Sequence, residues 1–363
     1  MPASPTSLPE LDLTGDLTDL LVALVDAPSV SGDERDLTDA IQASLEPLGH
    51  LELIRDGDVL VARTQLGRAE RVVLAGHTDT VPIAGNVPAK VTGSGDERVV
   101  WGRGSCDMKA GVAVQLAIAA ALPDPSRDLT FIFYDNEEVE ESRNGLARLG
   151  RERPDLLAAT FAVLGEPSNA RVEGGCQGTM RAEVTLTGLA AHSARSWMGR
   201  NAIHAAAPLL VRLAEHTPAQ VEVDGLVYRE GLNAVGIAGG IAGNVIPDRC
   251  VVEVNYRFAP AKSPTQAEAY LREVLDGFEV EITDVAAGAR PGLDRPIAAD
   301  FLAAVGGEAH PKFGWTDVAR LSALGIPAVN FGPGDPSKAH ADDEFCPTVD
   351  LHLCRDALLR WLA

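Results

Sequence analysis

Arg71-Val-Val-Leu-Ala-Gly-His-Thr-Asp79 runs a short apolar segment straight into a histidine and an aspartate two residues apart. A run of four apolar residues with no polar alternation reads as a strand buried on both faces. Two similar runs follow downstream. Leu129-Thr-Phe-Ile-Phe-Tyr134 leads into Asp135-Asn-Glu-Glu138, and Phe161-Ala-Val-Leu164 leads into Gly165-Glu-Pro167. A fourth, Ala328 to Phe331, leads through a Gly/Pro loop to His340. In open α/β sheets ligands gather outside the carboxyl ends of the strands. Each piece alone has an ordinary explanation: a surface pair, a solvated acidic face, a turn, a loop histidine. Four strand ends delivering histidine or carboxylate groups to one sheet edge point to a metal centre.

Between these strands lie helical patterns. Asp16 to Asp26 carries leucine and valine at helical spacing, Asp33 to Leu48 has an acidic first turn, and Met108 to Leu122 is built of small residues suited to packing on a sheet. Strands alternating with helices imply an α/β fold, a mostly parallel mixed sheet flanked by helices. The middle of the chain differs. Thr179 to Leu186 alternates polar and apolar. A helix near Asn201 to Glu215 follows, then strands Leu232 to Ile241 and Val251 to Phe258, a helix near Pro264 to Leu275, and a strand near Glu279 to Thr283. This β-α-β-β-α-β order is a small two-layer α+β unit. The expected organisation is a catalytic domain, 1–177 and 289–363, interrupted by an inserted domain, 178–288.

Composition narrows the partners. The net charge of −21 disfavours nucleic acid and anionic membranes, both of which need a basic face. Five cysteines, an odd count with no C-x-x-C pair, fit a reducing cytoplasm better than a disulfide framework. Met1 to Leu13 lacks the basic start and apolar run of a signal peptide. Ala110 to Leu122 is too short to span a membrane. No Gly-x-Ser-x-Gly elbow supports a serine hydrolase.

The chemistry of a two-ion site uses this mixture of groups. Asp107, Glu138 and Glu166 supply negative charge and His77 and His340 neutral nitrogen, a set that suits zinc, with cobalt or manganese as substitutes. Paired ions sit ~3.5–4 Å apart and need a bridge. Asp107, a short carboxylate at a helix start, is the natural one. Asp79 is placed to accept the second ring N–H of His77. Glu137 and Glu138, being adjacent, point apart, so one can bind metal while the other acts as a base.

Together, Gly76-His-Thr-Asp-Thr-Val-Pro82, Gly102-Arg-Gly-Ser-Cys-Asp-Met-Lys-Ala-Gly111, Asp135-Asn-Glu-Glu-Val139, Gly165-Glu-Pro167 and the late His340 resemble the M20 family of metallohydrolases along essentially the whole chain. The resemblance implies a zinc-exopeptidase-like catalytic domain holding two Zn²⁺ per subunit and an inserted lid that mediates homodimerisation. His77 and Glu166 would serve one ion, Glu138 and His340 the other, and Asp107 both. A metal-bridged hydroxide would be the nucleophile and Glu137 the general acid/base. His192, by itself a loop histidine, would stabilise the oxyanion from the partner subunit. Thr78 stands where an apolar residue is also common in the family, with no expected loss.

Within the family, Val172-Glu-Gly-Gly-Cys-Gln-Gly-Thr179, Ala191-His-Ser-Ala-Arg-Ser-Trp-Met198, Tyr228-Arg-Glu-Gly-Leu-Asn-Ala-Val235, Gly243-Asn-Val-Ile-Pro247 and Phe313-Gly-Trp-Thr-Asp-Val-Ala319 resemble the actinobacterial succinyl-diaminopimelate desuccinylase group. That implies an anionic N-acyl amino acid substrate, N-succinyl-LL-2,6-diaminopimelate, in lysine and cell-wall biosynthesis. Arginine suits bidentate carboxylate recognition, which makes Arg257 the first substrate-binding candidate, followed by Arg195 and Arg181. Asn244 would contribute from the lid and Thr316 from the catalytic domain. Cys106 reads as buried filler beside Asp107. An acetylornithine deacetylase or a dipeptidase of the same family is the first alternative, because all share the metal site. A non-catalytic binding protein on the same fold is the second.

Overall fold

The computed structural model describes residues 10–363. The leader reading for Met1 to Leu13 falls mostly on residues 1–9, outside the described residues. By packing, the chain divides into two compact units. One runs to Gly174 and takes in Pro291–His310 and Arg320–Ala363; the other comprises Gly175–Arg290 and Pro311–Ala319.

The first unit is built on an eight-stranded sheet, in the order Glu52–Asp56, Val59–Arg63, Asp128–Tyr134, Arg71–His77, Phe161–Leu164, Ala328–Asn330, Val172–Gly174, Ala309–Pro311. Its four central strands, Asp128–Tyr134 to Ala328–Asn330, are parallel. Outside them, Glu52–Asp56, Val59–Arg63 and Val172–Gly174 pair antiparallel. The sheet is mixed, as expected, with its parallel pairs at the centre. The hairpin Glu52–Arg63 escapes the apolar-run criterion because its outer strand, Glu52–Asp56, is polar and half-exposed, as edge strands often are. In the centre, Val72 to Ala75 and Leu129 to Phe133 are fully buried.

Helix Lys109–Ala121 is buried on almost every side. Gly111 permits this, since a Cβ there would collide with the Gly165 carbonyl. Helix Thr348–Leu362 packs against Lys109–Ala121 and against Pro296–Val305. Phe301 joins them to the sheet, with ring centroids 4.8 Å from Trp361 and 5.7 Å from Phe161.

The second unit carries a four-stranded antiparallel sheet, in the order Gly231–Gly239, Arg249–Phe258, Gly178–Thr187, Glu279–Ala286. Alternate residues such as Met180, Val184, Val252 and Tyr256 enter a core with Leu209 and Leu271. The helix expected over 201–215 is two pieces, Ala202–Ala205 and Ala207–Glu215. Pro208 lacks the amide that would continue the first piece. A hairpin, Gln220–Val223 with Leu226–Arg229, is additional to the expected order. Its Asp224-Gly225 turn has φ of 50° and 83°, the positive values of a tight hairpin turn.

Pro311–Ala319 groups with this unit rather than with the first. The Trp315 indole N–H donates to the Ala287 carbonyl at 3.0 Å. Thr316, expected on the catalytic domain, thus belongs to the second unit. Among the described residues no helix is long and apolar enough to cross a membrane.

Candidate metal centre

His77 is the last residue of the strand Arg71–His77, two residues beyond the apolar run. It is buried, and its ring is held at both nitrogens. Nε2 lies 3.1 Å from Asp107 Oδ1 and Nδ1 lies 3.0 Å from the Asp79 backbone carbonyl. The Asp79 carboxylate is farther from Nδ1, at 3.4 Å. The expected imidazole–carboxylate contact is therefore secondary to a backbone one. The carboxylate is engaged elsewhere: it accepts the Ser31 hydroxyl at 2.7 Å, the Glu137 N–H at 2.9 Å and the Glu138 N–H at 3.0 Å. Burial pushes the Asp79 carboxyl up, but the His77 ring and these donors hold it below its ordinary range.

Asp107 does not cap the following helix, whose N-terminal flanking position is Met108. Its carboxylate divides between two imidazoles. Oδ1 faces His77, and Oδ2 lies 3.3 Å from His340 Nε2. That same nitrogen is 3.0 Å from Glu138 Oε1. Glu166 follows the strand Phe161–Leu164 and is buried.

Three sets of ligand atoms lie within 4.8 Å of one another: His77, Asp107 and Glu166; Asp107, Glu138 and His340; and His77, Glu137 and Glu138. All five sequence candidates converge, and Asp107 belongs to two of the sets. Two imidazoles among carboxylates form a donor set that fits divalent zinc. The electrostatics agree. Contacts with Asp107 and Glu138 push the His340 imidazole up to about 10. Burial works against protonation of His77, yet Asp107 and Asp79 raise it well above its ordinary value. Burial opposes ionisation of Asp107 as well, but the two imidazoles hold its carboxyl far below the usual range. The pocket favours positive charge.

Glu137 and Glu138 sit on a loop whose first turn is set by Asn136, with φ of 58°. Glu34, buried, accepts the Asn136 N–H at 3.1 Å and the Gly32 N–H at 2.9 Å. Two buried carboxylates, Glu34 and Asp79, therefore hold three successive amides of this loop. Sequence reading passes over Glu34, which looks like an ordinary acidic residue at a helix start. It also leaves Arg103 and Glu344 without roles. Their only sequence signals are a place inside the Gly102–Gly111 motif and the end of the acidic run 342–344.

The remaining candidates lie in the second unit. His192 is exposed on the strand Ala191–His192, which pairs with Val245–Ile246. Its Nδ1 accepts the Ala194 N–H at 3.0 Å, which leaves the Nε2–H to donate outward. The Asn244 carbonyl accepts the Ser193 N–H at 2.9 Å, bringing Asn244 beside His192. Arg257 and Arg181 occupy the outward face of neighbouring strands. Burial and then Arg181 push the Arg257 guanidinium down. Arg257 bonds Asn255 Oδ1 at 3.2 Å. Among the described residues neither arginine has a carboxylate ion-pair partner. Arg195 is exposed in the turn Ser193–Met198. Thr316 is buried, with the Cys176 thiol 3.7 Å from its carbonyl. All five cysteines are free and buried. Burial foremost pushes the Cys106 thiol well up, which suits filler and not a nucleophile.

Known proteins resemble this chain in sequence and in fold. A succinyl-diaminopimelate desuccinylase of Corynebacterium glutamicum is 47% identical over 354 residues, covering 94% of this chain and 95% of its own. A Mycobacterium tuberculosis protein that bears the same name provisionally is 50% identical over 355 residues, covering 97% and 99%. The crystal structure of a Staphylococcus aureus tripeptidase shares the fold, with a TM-score of 0.78 at 21% identity over 98% of both chains. Residues 73–363 match the model of peptidase family M20/M25/M40, a metal-dependent family, and the chain belongs to it.

Proposed function

We propose that this protein hydrolyses the succinyl amide of N-succinyl-LL-2,6-diaminopimelate, giving succinate and LL-2,6-diaminopimelate, with two zinc ions per subunit. The observation that carries the metal reading is the division of the Asp107 carboxylate between His77 and His340. His77 and Glu166 would hold one ion, Glu138 and His340 the other, and Asp107 both. When bound, such ions polarise a carbonyl oxygen and lower the pKa of water.

The residues of the chain supply the remaining steps. Glu137 accepts the proton of the attacking water and delivers it to the amide nitrogen as the C–N bond breaks and the new C–O bond forms. Asp79 fixes the Glu137 amide. His192, donating from Nε2, stabilises the charge that develops on the carbonyl oxygen. Arg257 and Arg181, two neighbouring cations without an acidic ion-pair partner among the described residues, support recognition of substrate carboxylates, with Arg195, Asn244 and Thr316 as further contacts. The names of the relatives near half identity support the succinyl substrate over an acetylornithine or a dipeptide. The complete set of acid/base and ligand side chains disfavours a non-catalytic binding role.

We place the second unit as a lid through which the chain pairs with a second copy, so that His192 comes from the partner. The edge strand Gly231–Gly239 exposes Val235 and Ile237, and Ile241 beyond it is 87% exposed. The five free thiols fit a cytoplasmic setting. Turnover of succinyl-diaminopimelate against acetylornithine by the zinc-loaded protein tests the substrate. Faster turnover of acetylornithine would overturn it.

A further inference from the structure

Arg103 and Glu344 form an ion pair, Nη1 to Oε2 at 2.8 Å, with 4% and 1% of their side chains exposed. A buried pair of this kind is no stronger for folding than well-packed apolar residues. Its contacts suggest what else it does. Glu344 Oε1 accepts the N–H groups of Cys106 and Asp107 at 2.9 and 3.1 Å. Arg103 Nη1 also donates to the Ala341 carbonyl, and Nε donates to the Pro82 carbonyl, both at 3.2 Å. Three loops are thereby joined: the one after His77, the one that presents Asp107, and the one that carries His340. His340 itself has a φ of 65°, a conformation that a non-glycine residue keeps only when its surroundings hold it. Its neighbour Ala341 is the residue that Arg103 anchors.

We propose that Arg103 and Glu344 are positioning residues for the two-ion site: together they set the orientation of the Asp107 carboxylate and its placement between His77 and His340. This rests on the metal reading given above. The amide anchors fix the Asp107 backbone so that one oxygen meets each imidazole. The guanidinium fork locks the His340 loop to the same point. A lysine at 103 would keep the charge but could not span the Pro82 and Ala341 carbonyls together.

The test is titration of the metal-free full chain with zinc chloride against a chelating dye, for wild type, Glu344→Gln and Arg103→Lys. The electron paramagnetic resonance spectrum of each protein with two equivalents of cobalt is recorded alongside. Wild type is expected to take two ions and to show spin coupling between paired cobalt ions. In the variants the weaker ion is expected to bind at least about tenfold less tightly, the loss typical when groups behind metal ligands are removed, and the coupling to diminish. Arg103→Lys decides the matter if Glu344→Gln does not fold. Unchanged zinc affinity and coupling, with only a lower melting temperature, would make the pair purely structural and overturn the proposal. Failure of wild type itself to bind two ions would remove the metal reading and this role with it.

Discussion

The Asp79 carboxylate accepts the Glu137 backbone N–H at 2.9 Å, with Oδ1, while Oδ2 takes the Glu138 N–H at 3.0 Å. One buried side chain, two residues beyond His77, thus fixes the backbone under both Glu137, the proposed base, and Glu138, a proposed metal ligand. Asp79→Ala leaves the Glu137 and Glu138 amides without their buried acceptor. The expected outcome is a fall in kcat of about 10²-fold, the low end of what a positioned base contributes, with KM changed much less. Steady-state kinetics with matched zinc content measures it. A KM effect alone would assign Asp79 to substrate binding instead.

In the proposed mechanism Glu137 moves the proton and Glu138 holds an ion, although the two are adjacent. Glu137→Gln is expected to lower kcat by ~10²–10⁴ and to keep both zinc ions. Glu138→Gln is expected to lose zinc affinity first. Metal analysis of the purified variants beside their kcat values separates the two roles. Equal zinc loss in both variants would contradict the division.

Much of this site could be read from sequence because its donors follow buried strands. Val72 to Ala75, Leu129 to Phe133 and Phe161 to Leu164 are apolar runs that only a doubly covered sheet explains, and His77, Glu138 and Glu166 stand just past their ends. The groups behind the ligands could not be read this way. Glu34, Arg103 and Glu344 act through backbone amides and carbonyls of residues remote in sequence, and no local pattern encodes those partners. Glu344 meets Asp107 across an interval of 237 residues. The same limit explains the Asp79 contact. Same-side spacing puts it near His77, but the competing donors come from Ser31 and from Glu137. Thr316 fell on the other unit because Trp315 bonds Ala287, again a long-range contact.

Arg257 and Arg181 lie on one sheet face, among the described residues without a carboxylate ion-pair partner, and Arg257 is partly desolvated. Arg257→Met removes a charged hydrogen-bond donor, a change worth about 1.5–3 kcal/mol where the partner is ionised. The kcat/KM for the succinyl substrate is expected to fall roughly 10–10²-fold. A neutral acyl analogue lacking the carboxylate should lose much less. Equal losses for the two substrates would place the arginine away from substrate.

His192 accepts the Ala194 N–H at Nδ1, so its Nε2 donor is set in advance of substrate. His192→Ala is expected to lower kcat by ~10²–10³, the loss typical of one oxyanion donor. If the histidine serves the partner's site, mixing His192→Ala with Glu137→Gln should recover activity. In a mixed dimer one site then holds both an intact Glu137 and an intact His192. Absence of recovery, once exchange of subunits is verified, would place His192 in its own subunit's site.

The pH response of the metal-free protein follows from His340. Its imidazole is pushed from 6.5 to about 10, first by Asp107 and then by Glu138. The folded form holds this proton more tightly than the unfolded chain does. The stabilisation is therefore fully present below about 6.5, declines as pH rises between 6.5 and about 10, and is lost above that. The melting temperature of chelator-treated protein is expected to fall across this window, and His340→Gln should flatten that part of the profile. Zinc binding at pH 7 must displace the same proton, so calorimetric titrations in buffers of different ionisation enthalpy should register proton release. Zinc uptake without proton release, together with a flat stability profile for the wild type, would show that His340 is neutral beside Asp107 and Glu138.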